Sequence, residues 1–223
     1  MPVVSLLQLD TSFPRIAGDI GSADTWRAEL DIHMVPDLSV ARVINRVPGD
    51  TDISGIATAM AGARGDLLTT SCGFLCHWQD QLSANTSKPF VSSALLALPE
   101  LRERYPGDEL AILTFDSEVL TSPAFAPALH GFEGRVEGLP PDSHLRQVIA
   151  HDLPHLDRVR AEDDILRLVD GLCSTTGVRA LLLECTNLPP YKAALKAHFG
   201  LEIFDILTLL HQVNPDIVDN AFL

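Results

Sequence analysis

Leu67-Leu68-Thr69-Thr70-Ser71-Cys72-Gly73-Phe74-Leu75 is the stretch on which the reading of this chain turns. Its first four residues make a short strand-type run that passes from apolar side chains to hydroxyls. Phe74, Leu75, Trp78 and Leu82 then fall on one face at spacings near 3.6. The pattern predicts a strand that ends at Cys72 and a helix that begins there. A helix mouth carries unpaired N–H groups and the positive end of the dipole. A thiol at that position is expected to have a depressed pKa, to be partly thiolate near neutrality, and to have anion-binding amides beside it.

Strand and helix patterns alternate on both sides of this stretch. Pro2–Leu9, Leu30–Val35 and Pro89–Val91 read as strands, and Ile53, Ile56, Ala57 and Met60 as one helix face. The plan restarts with strands at Leu110–Phe115 and around Arg135–Leu139, a helix over Ala161–Leu172, and a strand at Arg179–Leu183. A helix from about Tyr191 to Phe199 has Pro190 at its start and Gly200 at its end. Alternation of this kind predicts an α/β fold with mostly parallel sheets covered by helices. The Arg104–Gly107 region is the expected internal boundary. Strand–Cys72–helix in the first half is echoed by strand–Cys185–helix in the second, 113 residues later.

The totals limit the function. With 223 residues, the chain has room for one large domain or two small ones. A formal charge of −14 opposes binding to nucleic acid or to anionic membranes, and no run is long enough to span a bilayer. The N-terminal Met-Pro-Val-Val-Ser-Leu-Leu lacks the basic region of a secretory signal. Four cysteines at this length do not make a disulfide framework, so a cytoplasmic protein with free thiols is expected. No phosphate loop or dinucleotide fingerprint is present, and no cofactor is expected.

In open α/β sheets, ligands bind beyond the carboxyl ends of the strands. Two half-domains face to face would put Cys72 and Cys185 on opposite walls of one cleft. One sulfur could then remove a proton from a carbon acid while the other returns one on the opposite face. Backbone N–H groups after each cysteine could hold the adjacent carboxylate.

Three segments carry a family resemblance: Asp10-Thr11 after the first strand, Thr69–Leu75, and Leu183-Glu184-Cys185-Thr186-Asn187-Leu188-Pro189-Pro190-Tyr191. Together, and in this order, they resemble the aspartate/glutamate/hydantoin racemase superfamily. The resemblance implies a cofactor-independent racemase or epimerase of two pseudo-symmetric α/β domains, 1–104 with 206–223 and 105–205, with the active site between them. It implies Cys72 and Cys185 as the acid/base pair. Asp10 and Thr11 would contact the substrate's amino end, and Gly73, Phe74, Thr186 and Asn187 its carboxylate. The expected partner is a small carboxylate or amino acid, and a homodimer is common in the family. Glutamate racemases carry Asn-Thr and Thr-His after their two cysteines. Here Gly73-Phe74 and Thr186-Asn187 stand in those places, which argues against glutamate itself.

Plainer readings compete at several positions. Cys76 and Cys173 read as packed structural thiols. Asp10 could close a strand. Arg15 could clamp a substrate carboxylate or brace its loop. Ser92 or Ser93 reads as a helix cap. His151 and His155 are four apart, but Pro154 breaks the helix a metal clip would need, and no third ligand is evident, so no metal site is expected. Two further functions remain open: a cysteine-nucleophile isomerase or lyase of small acids, and a non-catalytic small-acid binding protein.

Overall fold

The computed structural model describes residues 1–175 and 177–223. The first half contains strands β1 (Val3–Leu9), β2 (Glu29–Val35), β3 (Leu67–Thr70) and β4 (Phe90–Val91), with helices α1 (Val40–Val43), α2 (Ser54–Gly62), α3 (Gln79–Ser83) and α4 (Leu98–Arg104). The second half contains β5 (Leu110–Thr114), β6 (Arg135–Gly138), β7 (Ala180–Leu183) and β8 (Glu202–Asp205). Its helices are α5 (Ser117–Leu120), α6 (His144–Ala150), α7 (Arg158–Thr175), α8 (Lys192–Phe199) and α9 (Ile206–Val213).

Each half forms one four-stranded parallel sheet, in the orders β2-β1-β3-β4 and β6-β5-β7-β8. The orders are the same once four is added to each strand number, so the duplication is complete at the level of topology. Parallel strands need both faces covered, and β3, β5 and β7 are buried along their whole length. The register makes the equivalence residue-specific: Leu7 pairs with Thr70 and Leu113 with Leu183. Cys72 and Cys185 each lie two residues past the strand residue of that pair.

The helix expected after Cys72 is not one α-helix. Gly73–Trp78 forms a 3-10 helix, and only Gln79–Ser83 is α-helical. Gly73, Phe74, Leu75, Cys76 and Trp78 are all buried, so packing from every side sets this turn rather than one apolar stripe. The other predicted strands are present, with ends shifted by a residue or two. Ser93 accepts a hydrogen bond from Leu95 N–H at 3.3 Å, as a cap. Gly200 closes α8 in the left-handed region at φ +65°, where a side chain would be strained.

The C-terminal segment returns to the first half. Val218 bridges Trp26 in antiparallel fashion, Arg27 N–H donates to Ile217 O at 2.9 Å, and Asp219 N–H donates to Thr25 O at 3.1 Å. The halves are also tied at the mouth of the cleft. Asp152, at φ +49°, receives three hydrogen bonds from the loop after β1: Ser12 N–H at 2.7 Å, Ser12 Oγ at 2.8 Å and Phe13 N–H at 2.8 Å. Among the described residues, no helix is long and apolar enough to cross a membrane.

Candidate active site

Cys72 and Cys185 line the same cavity, between the carboxyl ends of the two sheets. Both are free thiols and 7% exposed. The cavity has about 350 Å³ of space between atoms, but a water-sized sphere can centre in only about 20 Å³ of it. That is room for about one water. Leu9, Phe13, Val40, Ile44, Phe115 and Ile149 supply apolar wall from both halves.

The expected low thiol pKa is not what the structure shows. Burial pushes the Cys72 thiol up to about 12, with the Glu184 carboxylate adding to the rise. Phe74 N–H and Arg15 pull it the other way and do not win. Burial also raises Cys185 well above its usual value, again with Glu184 contributing and Asn187 N–H opposing. The two sulfurs are thus treated alike: each meets the N–H two residues ahead of it. A six-residue 3-10 turn in a dry site supplies too little field to offset removal of a charge from water. Both thiols are protonated at rest.

Every site residue named by the sequence except Asp10 lies on this cavity: Thr11, Arg15, Cys72, Gly73, Phe74, Cys185, Thr186 and Asn187. Asp10 is exposed, and its Oδ2 accepts from Asp37 N–H at 3.0 Å instead. Its position explains this: it follows β1 directly and closes the turn to the loop after β2. Arg15 is held from two sides. One Nη donates to Asp19 Oδ1 at 3.1 Å and the other to Thr11 Oγ1 at 3.1 Å. The guanidinium stands over the Phe13 ring, 4.4 Å from its centre, and its Nε has no partner. Thr186 Oγ1 donates to Ser71 O at 2.7 Å, joining the two cysteine segments across the cleft. Asn187 Nδ2 donates to Asp19 Oδ2 at 2.6 Å, while its Oδ1 lies 3.7 Å from the Cys185 sulfur as an acceptor.

Two further acidic residues belong to the site. Asp19 is the buried side chain on which Arg15, Asn187 and Gly21 N–H converge. Glu184 is fully buried, and Thr114 Oγ1 donates to its Oε2 at 2.6 Å. Burial raises its carboxyl to about 7. The visible signal was an acid closing an otherwise all-leucine run, Leu181-Leu182-Leu183. The His151–His155 stretch contributes Asp152 to the interdomain tie, and no group of three metal-binding side chains exists among the described residues.

No family model matches the chain. Dimethylsulfoniopropionate lyase 3 of Emiliania huxleyi (strain CCMP1516) is 28% identical over 242 residues, spanning 98% of this chain and 61% of the relative. The chain thus covers about three-fifths of that relative's length. Picrophilus torridus aspartate racemase superposes with a TM-score of 0.59 at 12% identity, covering 100% of this chain and 98% of that one. Allantoin racemase from Pseudomonas fluorescens gives 0.60 at 12% identity, covering 95% and 88%. The two-domain α/β fold of this chain is thus similar to the fold of these racemase structures.

Proposed function

We propose that this chain is a cofactor-independent lyase that removes the proton α to the carboxylate of a small zwitterionic acid and expels a neutral sulfide from the β-carbon. The observation that carries this reading is the pair of thiols on one cavity, taken with the relatives named dimethylsulfoniopropionate lyase, which match along 97–98% of the chain. In the elimination a thiolate takes the Cα proton, the C–H pair becomes the new C=C bond, and the C–S pair leaves with sulfur. From dimethylsulfoniopropionate the products are acrylate and dimethyl sulfide.

The chemistry of the cavity suits such a substrate. A sulfonium has no N–H or O–H to satisfy, so apolar and aromatic walls do not penalise it, and ring faces attract its charge. The free Arg15 Nε offers a donor for the carboxylate. The neutral resting thiols also favour this reading. Burial and the Glu184 carboxylate keep both protonated, and a bound cation would oppose these effects by favouring a thiolate beside it. Substrate binding thus raises the thiolate fraction.

A second reading is racemisation at Cα. It is favoured by one specific observation: elimination needs one base, whereas the two sulfurs sit at pseudo-equivalent strand ends. Headspace measurement of dimethyl sulfide from dimethylsulfoniopropionate tests the first reading. Release by the wild type and a fall of at least about a hundredfold in Cys72→Ala or Cys185→Ala is expected, the usual scale for losing an acid/base group. No release by the wild type, with optical rotation lost from a D- or L-amino acid, would replace elimination by racemisation.

A further inference from the structure

Glu184 is an expensive residue that the cleft chemistry above does not use. It is fully buried, and only Oε2 has a partner, the Thr114 hydroxyl; Oε1 has none. That orphan oxygen presses on the residue after Cys72: a Cβ built on Gly73 would stand 2.1 Å from it. Glu184 itself precedes Cys185. One carboxyl therefore touches both cysteine segments. The equivalent place in the first half holds Ser71, whose Oγ accepts from Leu9 N–H at 2.9 Å. A hydroxyl meets the structural need there, so the acid is an asymmetry that the duplicated fold does not require.

We propose that Glu184 is a positioning residue that controls when the thiol pair ionises: protonated, it lets one sulfur carry the cavity's single negative charge, and ionised, it holds that charge itself. The exchange balances. A thiol S–H breaks, a carboxyl O–H forms, and the cavity's net charge is unchanged. A dry cavity tolerates one anion far better than two, so the three acids titrate as a unit. The ionisable groups facing this unit are Cys72 and Cys76 from the 3-10 turn, Cys185 after β7, and Arg15 and Asp19 from the loop after β1. The Glu184 charge acts on all three cysteines.

The test needs no substrate, so its outcome is separate from that of the lyase assay. Iodoacetamide labelling of Cys72 and Cys185 is followed by peptide mass spectrometry from pH 6 to 10, roughly the span over which such groups titrate. It is run on the wild type, Glu184→Gln and Thr114→Val. Glu184→Gln keeps the shape and removes the charge. Labelling at neutral pH should rise about tenfold or more, with the profile displaced to lower pH, the size expected for removing one buried like charge. Thr114→Val removes the hydrogen bond that favours the ionised carboxyl. Glu184 then stays neutral to higher pH, and the profile should move the same way by less. A brace without an electrostatic role would leave all three profiles superimposed, and that result, or a shift to higher pH, overturns the proposal. If Glu184→Gln does not fold, Thr114→Val alone decides.

Discussion

At the scale of single residues, Gly73 and Glu184 define the site's tolerances. A methyl at position 73 would stand 2.1 Å from Glu184 Oε1 and 2.6 Å from Glu184 O, the second a backbone atom of β7's extension that cannot step aside. Gly73→Ala should destabilise by about 1–3 kcal/mol, as overpacking does. A thermal melt should show it as a fall of several degrees, and an unchanged Tm would mean the two cysteine segments are not in contact. Glu184 also makes a pH prediction with a definite sign. Its carboxyl is held at about 7 in the fold, against 4.5 ordinarily, so the folded chain binds the extra proton between those values. Its contribution therefore favours folding at the acid end of that window and is lost as pH rises through it. Denaturant titrations across the window should show Glu184→Gln gaining on the wild type as pH rises; a difference that stays flat would mean the carboxyl is not buried. Asp19 and Glu184 were hard to read from sequence for a common reason. Their roles come from what converges on them in space, and no local spacing encodes that.

At the scale of elements, a buried ion pair joins α8 to the end of β8. Lys192, at the start of α8, reaches Asp205 at the end of β8, with Nζ 2.8 Å from Oδ2. The pair is almost wholly buried, and the other Asp205 oxygen caps α9 by accepting from Thr208 N–H at 2.8 Å and Thr208 Oγ1 at 2.9 Å. Asp205→Ala would strand a buried ammonium and uncap a helix, at a cost of about 3–5 kcal/mol. A smaller loss from Lys192→Met combined with Asp205→Leu, seen in the denaturation midpoint, would show the stranded charge to be the larger part. Strands were legible where apolar runs end in hydroxyls or acids, as at Leu67–Thr70 and Leu110–Thr114, because a strand buried on both faces has to be apolar throughout. The segment after Cys72 misled for a related reason. An all-buried 3-10 turn carries enough apolar residues to match a helical period over four positions. The thiol pKa inferred from that helix then had the wrong sign, since burial was invisible in the local pattern.

At the scale of the molecule, the two halves close over a space too small for a substrate, and the Asp152 tie to Ser12 and Phe13 lies where they close. Phe13 is itself a cavity wall, so this tie holds one side of the cavity in place. Asp152→Ala should expose the buried thiols and speed their alkylation severalfold without a comparable fall in Tm. Unchanged alkylation would mean that access lies elsewhere. Against a small cost of desolvation, the Ser12 and Phe13 donors hold the Asp152 carboxyl below its ordinary value. The tie is therefore intact above the usual carboxylate range and is lost only as pH falls through the lowered value, so its effect on alkylation should be constant across the neutral and alkaline range in which thiols react. The matching sheet orders explain why two cysteines so distant in the chain share one cavity, and the central claim is that they move a proton at a carbon held between them. Comparing dimethyl sulfide release from dimethylsulfoniopropionate with and without deuterium at Cα, by the wild type, Cys72→Ala and Cys185→Ala, tests it most directly. The account predicts slower release from the deuterated substrate with the wild type and loss of release in at least one variant; release that persists undiminished in both variants would contradict it.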